Sequence, residues 1–204
     1  FANRVGMPML EGLTFVHNAL RGAGIRNDIR LGAAGKIISA FDIARALALG
    51  ADWCNSGRGF MFAVGCIQAQ ACHTNKCPVG IATQDQARQR AIDVGDKSDR
   101  VARFHRNTMR ALSEIAGAAG LTDPRDFMPY HFMFRQSDNE FLDGNEAYPY
   151  LPEGFLLSEE EIPELADWYD RWDRASAETF APPEIPFGPF ASRRKRKPDL
   201  RAMA

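Results

Sequence analysis

Two short apolar stretches, IRLGAAGKII (29–38) and ADWCNSGRG (51–59), constrain this chain more than any other feature. Each runs into a glycine-rich turn, and each turn opens a helix-like segment. Ile29–Gly32 reads as a strand with 33–38 as the loop leaving it, and Asp52–Ser56 reads as a second strand ending at Gly57-Arg58-Gly59. Between them SAFDIARALALG has Ser39 as N-cap and Gly50 as C-cap, and GFMFAVG follows as another helix. Upstream, Leu10, Leu13, Val16, His17 and Leu20 form one helical stripe that stops at Gly22 and Gly24. Strands alternating with helices predict βα units and a parallel sheet, hence an α/β fold. Two strands do not make a stable parallel sheet, so partners beyond this segment are expected.

Further on, 98–119 predicts an amphipathic helix with Val101, Phe104, Thr108, Leu112, Ile115 and Ala119 on one face. Residues 122–157 are rich in turn formers and show no period. Ser158 and Glu161 have capping-box spacing for a helix carrying Ile162, Leu165, Tyr169 and Trp172, with Pro163 able to delay its start. The end is proline-rich and then basic, and reads as an extended or disordered tail. Its RRKRK (193–197) reads as a solvated tail rather than a nucleic-acid signal. With 45% hydrophobic and 25% charged residues and a net charge of −1, composition points to neither nucleic acid nor an anionic membrane as partner. No apolar run is long enough for a membrane span. The first residues, FANRVG, read as the middle of a longer polypeptide.

Three of the four cysteines fall within GCIQAQACHTNKCPVG (65–80), spaced C-x5-C-x4-C. Such sparing use of cysteine is unlike a disulfide scaffold and fits reduced thiols in the cytoplasm. Cys66, Cys72 and Cys77 suit an iron–sulfur cluster of the three-iron type, since thiolates are the usual cluster ligands. Spacing ranks this ahead of a Cys3His zinc site using His73, which lacks the short gap usual in zinc sites, and ahead of three buried small hydrophobes. Cys54 reads as a core residue. The turns at 32–36 and 55–59 end parallel strands and begin helices, where backbone N–H groups favour an anion, with Lys36 and Arg58 adding charge.

The stretch from Gly50 to Asp85, with its C-x5-C-x4-C-P-V-G pattern and following A-T-Q, resembles the end of the flavin-binding domain of glutamate synthases. DIARALALGAD (42–52) is similar to the seventh helix and eighth-strand entry of FMN barrels. The resemblance reaches about Pro129, and beyond it the chain is similar to short bacterial FMN-binding glutamate synthase family proteins. It implies the C-terminal part of a (β/α)8 TIM barrel, then a cluster loop and a mainly helical or irregular extension. The implied divisions are 1–65 as the last βα units, 66–97 as the cluster segment, 98–129 as a helix packing on the barrel, and 130–204 as extension and tail. FMN would be bound by Gly35, Lys36, Ser56, Gly57 and Arg58, and a [3Fe–4S] cluster by Cys66, Cys72 and Cys77.

The implied enzyme is an oxidoreductase of the CH–NH2 class, forming L-glutamate from 2-oxoglutarate and an amino donor. A 2-iminoglutarate intermediate would accept hydride from reduced FMN, with electrons from ferredoxin or an NAD(P)H-oxidising partner. Residues binding 2-oxoglutarate would precede Phe1, no catalytic residue is assigned, and the segment alone is expected to be inactive. An FMN and iron–sulfur enzyme acting on another substrate, and a zinc-stabilised interaction module, are the competing readings. Two departures stand out. Ala34-Gly35-Lys36 replaces the Asp-Gly-Gly of many FMN barrels, and Arg58 replaces a neutral residue.

Overall fold

A computed structural model describes residues 6–178; the proline-rich and basic stretch from Ala181 lies outside them. The elements follow in the order α1 (Met9–Gly22), β1 (Gly32–Ala34), α2 (Ala40–Ala48), β2 (Trp53–Asn55), α3 (Gly57–Val64), a 3-10 turn (Cys72–Thr74), α4 (Gln86–Gln89) and α5 (Val94–Ala118). After two further 3-10 turns come β3 (Met133–Arg135), β4 (Phe141–Asp143), α6 (Gly144–Ala147) and α7 (Ala166–Asp173). The chain divides into two compact units. One comprises the residues up to Thr14 with Arg30–Pro149, the other Phe15–Ile29 with the chain from Tyr150.

In the first unit β1 and β2 pair in parallel, with Gly32 opposite Trp53, Ala33 opposite Cys54 and Ala34 opposite Asn55. The parallel βα pattern is as expected, but among the described residues the sheet has two strands and closes no barrel. β1 also lies further along than Ile29–Gly32. The Leu31 N–H donates to the Asp52 carboxylate at 2.7 Å, so ladder pairing begins only at Gly32.

Helix α2 is the centre of this unit. Ala40, Ala44 and Ala48 recur every four residues and make one stripe, which packs with Leu112 and Ala116 of α5 and with Phe127 and Phe132. Ala46, Leu47 and Leu49 turn the other way, onto Leu13, Ala33, Ile37 and Ala51. A helix apolar on both sides must be buried on both sides. Ser39 is its N-cap, in a complete capping box: the Ser39 Oγ accepts the Asp42 N–H, and the Asp42 carboxylate accepts the Ser39 N–H at 2.9 Å. The C-cap is Leu49, one residue before the expected Gly50, which follows with φ 105°.

Helix α5 starts at Val94 rather than Ser98, because the Asp93 carboxylate accepts the Asp96 N–H and caps it there. The segment without a clear period contains an antiparallel β3–β4 pair, Met133 opposite Asp143, which three-residue strands leave illegible in the sequence.

The second unit gathers Phe155, Leu156, Trp168 and Tyr169 with Phe15, Ala19 and Leu151. Phe15 stacks on Trp168 at 4.8 Å between centroids. Arg21 Nε donates to the Leu151 carbonyl at 2.8 Å, and Asn18 Oδ1 accepts the Leu151 N–H. The helix expected from Ser158 does not form there. Ile162 is extended, as a residue before proline prefers, Pro163 opens a 3-10 turn, and α7 begins at Ala166.

Burial pushes the Asp42 carboxyl up, but the N–H groups of Ser39 and Ile38, the Ser39 hydroxyl and the Arg45 charge together hold it below its ordinary 3.8. A depressed carboxylate contributes stability above its ordinary value and loses it as pH falls through the lowered native one. Ser39→Ala should therefore destabilise the fold by about 1 kcal/mol at neutral pH. Denaturant melts should show that difference shrinking once Asp42 is protonated. A difference as large at pH 2 as at pH 7 would show that the cap does not act through this pair.

Candidate functional site

Both glycine-rich turns and two of the clustered cysteines line a single cavity of about 720 Å³ in the first unit. Gly35 and Lys36 come from the turn after β1, and Gly57 and Arg58 are the first two residues of α3. Cys66 and Cys72 come from the segment that follows. Lys36 and Arg58 are the charged residues among the lining side chains, and no carboxylate accompanies them. A helix start with two cations and no anion favours a negatively charged ligand. Met61 and Phe62 supply an apolar wall, and Asn55, Gln68 and Gln70 neutral polar groups. The sequence reading did not single these five out. Met61 and Phe62 follow the Gly-Arg-Gly turn by about one helical turn, which is the signal that marks them.

Ser56 is the one predicted loop residue that does not line the cavity. Its hydroxyl donates to the Ile37 carbonyl at 2.7 Å and makes no cap to α3. That bond ties the start of α3 to the turn after β1. Gly59, one helical step in, allows the close approach: a Cβ there would lie 2.5 Å from the Ser56 Oγ and 3.1 Å from the Phe104 ring of α5. Lys36 holds φ 56°, a left-handed conformation normally given to glycine.

The cysteine segment is bent twice early, since Gln68 and Gln70 also have left-handed φ values of 57° and 54°. Held conformations of this kind concentrate at functional sites. The Gln68 N–H points at Cys66 Sγ, 3.4 Å away. Cys72 is exposed at the start of the 3-10 turn. Cys77 is buried and lies apart from the cavity lining. Its sulfur faces backbone N–H groups, first that of Ala82 and then those of Val79, Ile81 and Gly80. Against the opposing effect of burial, they hold the thiol below its ordinary 9.0. Cys54 behaves in the opposite way: burial against the Leu13 cluster pushes its thiol up to about 11. It is a core residue, as its strand position implied. His73 is exposed beside Cys72 and is not among the cavity lining. Among the described residues, no three His, Cys, Asp or Glu side chains converge on a single-ion site. Nor is any helix long and apolar enough to cross a membrane.

A family model described as the conserved region in glutamate synthase matches residues 1–122. The chain is 40% identical over 141 residues to the glutamate synthase large subunit-like protein YerD of Bacillus subtilis, covering 69% of this chain and 27% of that protein. It is 36% identical over 121 residues to the archaeal glutamate synthase [NADPH] of Methanocaldococcus jannaschii, covering 59% of this chain and 24% of that one. The ferredoxin-dependent glutamate synthase 2 of Synechocystis is 36% identical over 119 residues, 58% of this chain and 8% of that enzyme. The chain thus spans about a quarter or less of the length of these relatives.

The loop that presents Cys77 depends on Gly80. Its φ is 77°, and a Cβ there would lie 2.2 Å from the Arg88 carbonyl oxygen. Gly80→Ala should cost about 1–2 kcal/mol from the left-handed backbone alone, with the steric clash in addition. Hydrogen exchange should report faster opening of 77–84 while α2 keeps its protection. Unchanged exchange in 77–84 would mean the loop does not need this close approach.

Proposed function

This chain belongs to the glutamate synthase family through its conserved region, and on that premise we propose that it forms the closing part of an FMN-binding (β/α)8 barrel and carries a [3Fe–4S] cluster. The whole enzyme would form L-glutamate reductively from 2-oxoglutarate and an amino donor. Residues 1–65 would supply the last βα units, 66–97 the cluster segment, 98–129 the helix packed on the barrel, and 130–204 an extension. The observation that carries the reading is the cavity shared by both glycine-rich turns and by Cys66 and Cys72.

The residues fit both groups. For a flavin phosphate, Gly35 and Gly57 leave room for close backbone approach, and Lys36 and Arg58 balance the charge. Ser56 holds the two turns together through Ile37. For a cluster, backbone N–H groups favour the thiolate of Cys77, and the Gln68 N–H aimed at Cys66 Sγ is the kind of contact that tunes cluster potentials. A cluster is several atoms wide, so its thiolates attach at separate irons and need not meet at one point as they do around zinc. When bound, FMN supplies hydride and single-electron chemistry and the cluster supplies one-electron storage. This chain's own residues bind, orient and tune them. Electrons would come from ferredoxin or an NAD(P)H-oxidising partner; the relatives of Synechocystis and Methanocaldococcus carry ferredoxin and NADPH in their names.

The intact protein, purified without oxygen, should contain iron and acid-labile sulfide. Serine at Cys66, Cys72 or Cys77 should each remove them, while Cys54→Ser should not. Arg58→Ala should weaken FMN binding at least about tenfold, the usual loss for a charge-assisted hydrogen bond. Stoichiometric zinc without sulfide would sink the cluster, and unchanged flavin affinity would take Arg58 out of the site.

A further inference from the structure

The A-T-Q that follows the cysteines has a geometric role. The Thr83 hydroxyl is 2.7 Å from the Asn75 carbonyl oxygen and 3.1 Å from Asn75 Oδ1. It also accepts the Asp85 N–H at 3.1 Å. With one proton to give, it donates to the nearer oxygen, the Asn75 carbonyl. The Gln84 N–H donates to Asn75 Oδ1, and Gln89 Nε2 donates to the Thr83 carbonyl at 2.8 Å. Asn75 itself has φ 63°, so its backbone turns here, as asparagine tolerates. Thr83 is one of the few buried polar residues of the described chain. Together these bonds close the loop 75–84. Inside that loop lies Cys77, which is buried.

We infer that Thr83 is a positioning residue, whose hydroxyl clasps this loop to Asn75 and so keeps the Cys77 side chain buried within it. Neither Thr83 nor Asn75 lines the cavity. What the loop holds, a cluster iron, rests on the cluster reading proposed above; the clasp itself does not. Thr83→Val keeps the shape and removes the hydroxyl, leaving the Asn75 carbonyl without this donor. Thr83→Ser restores it.

The test is made on the intact protein, stripped of iron anaerobically and treated with iodoacetamide at one pH above the ordinary thiol value, so that the rate reads access to the sulfur and not its ionisation. Alkylation is read at each cysteine by peptide mass spectrometry. Thr83→Val should speed alkylation of Cys77 about tenfold, the value of one lost hydrogen bond, leave Cys54 unchanged, and be reversed by Thr83→Ser. Iron-loaded Thr83→Val should lose iron to a chelator faster by a similar factor. An unchanged Cys77 rate would overturn the inference. Equal acceleration at Cys54 and Cys77 would overturn it as well, since the hydroxyl would then support the whole fold and not the loop. If Cys77 alone is released but the untreated protein holds no iron or sulfide, the clasp stands and the cluster reading falls.

Discussion

The arrangement of the cavity depends on a helix small enough to be buried from two sides. The alanines at 40, 44 and 48 let α5 approach α2 closely, and Ala46 and Leu47 let the strand pair do the same. Interiors packed at crystal density do not absorb an added methylene without moving backbone. A larger residue on the alanine stripe would therefore displace α5. Because Phe104 of α5 touches Phe60 of α3 edge to face at 5.3 Å, the displacement would reach the helix whose first residues line the cavity. The N-terminus of α2 is fixed at Ser39, just after the turn that carries Gly35 and Lys36. The Ser56 to Ile37 bond then sets the second turn against the first. Packing thus sets the helices, and one hydrogen bond sets the loops.

Electrostatics in the same unit separate residues that composition treats alike. Cys54 and Cys77 are both largely enclosed, yet their thiols shift in opposite directions. Cys54 is surrounded by apolar side chains, which penalise the thiolate. Around Cys77 the chain doubles back so that successive backbone N–H groups face one sulfur, and these dipoles outweigh the cost of burial. Lys36 and Arg58, on the cavity, meet no lining carboxylate that would cancel their charge. The unit therefore offers places for negative charge at both the turns and the cysteine loop.

Periodicity and capping chemistry made the helices legible: the Ser39 cap of α2, the existence of α1 and the α5 face could be read from spacing, because each is a local interaction, although Val16 of the expected α1 stripe is exposed and the Asp42 half of the α2 box was not anticipated. The parallel pairing of the two short strands followed from their alternation with helices. Of the residues that the cysteine spacing and the glycine turns marked, Gly35, Lys36, Gly57, Arg58, Cys66 and Cys72 line the cavity, while Ser56 and Cys77 do not. What spacing could not supply were contacts between residues distant in sequence. The start of β1 was decided by Asp52 reaching Leu31, whereas the start of the last described helix was set locally, by what Pro163 forbids upstream of it.

The sequence alone determined residue types and local order: three thiols in one segment, two cationic glycine-rich turns, and helices with fixed caps. Only the tertiary structure decided that the two turns and two of those thiols share a cavity, that Ser56 joins the turns, and that Thr83 closes the loop around Cys77. The division has a physical cause. Helix periods and caps are set within a few residues along the chain, whereas a cavity and a thiolate's environment are set by which backbone groups folding brings to face one point.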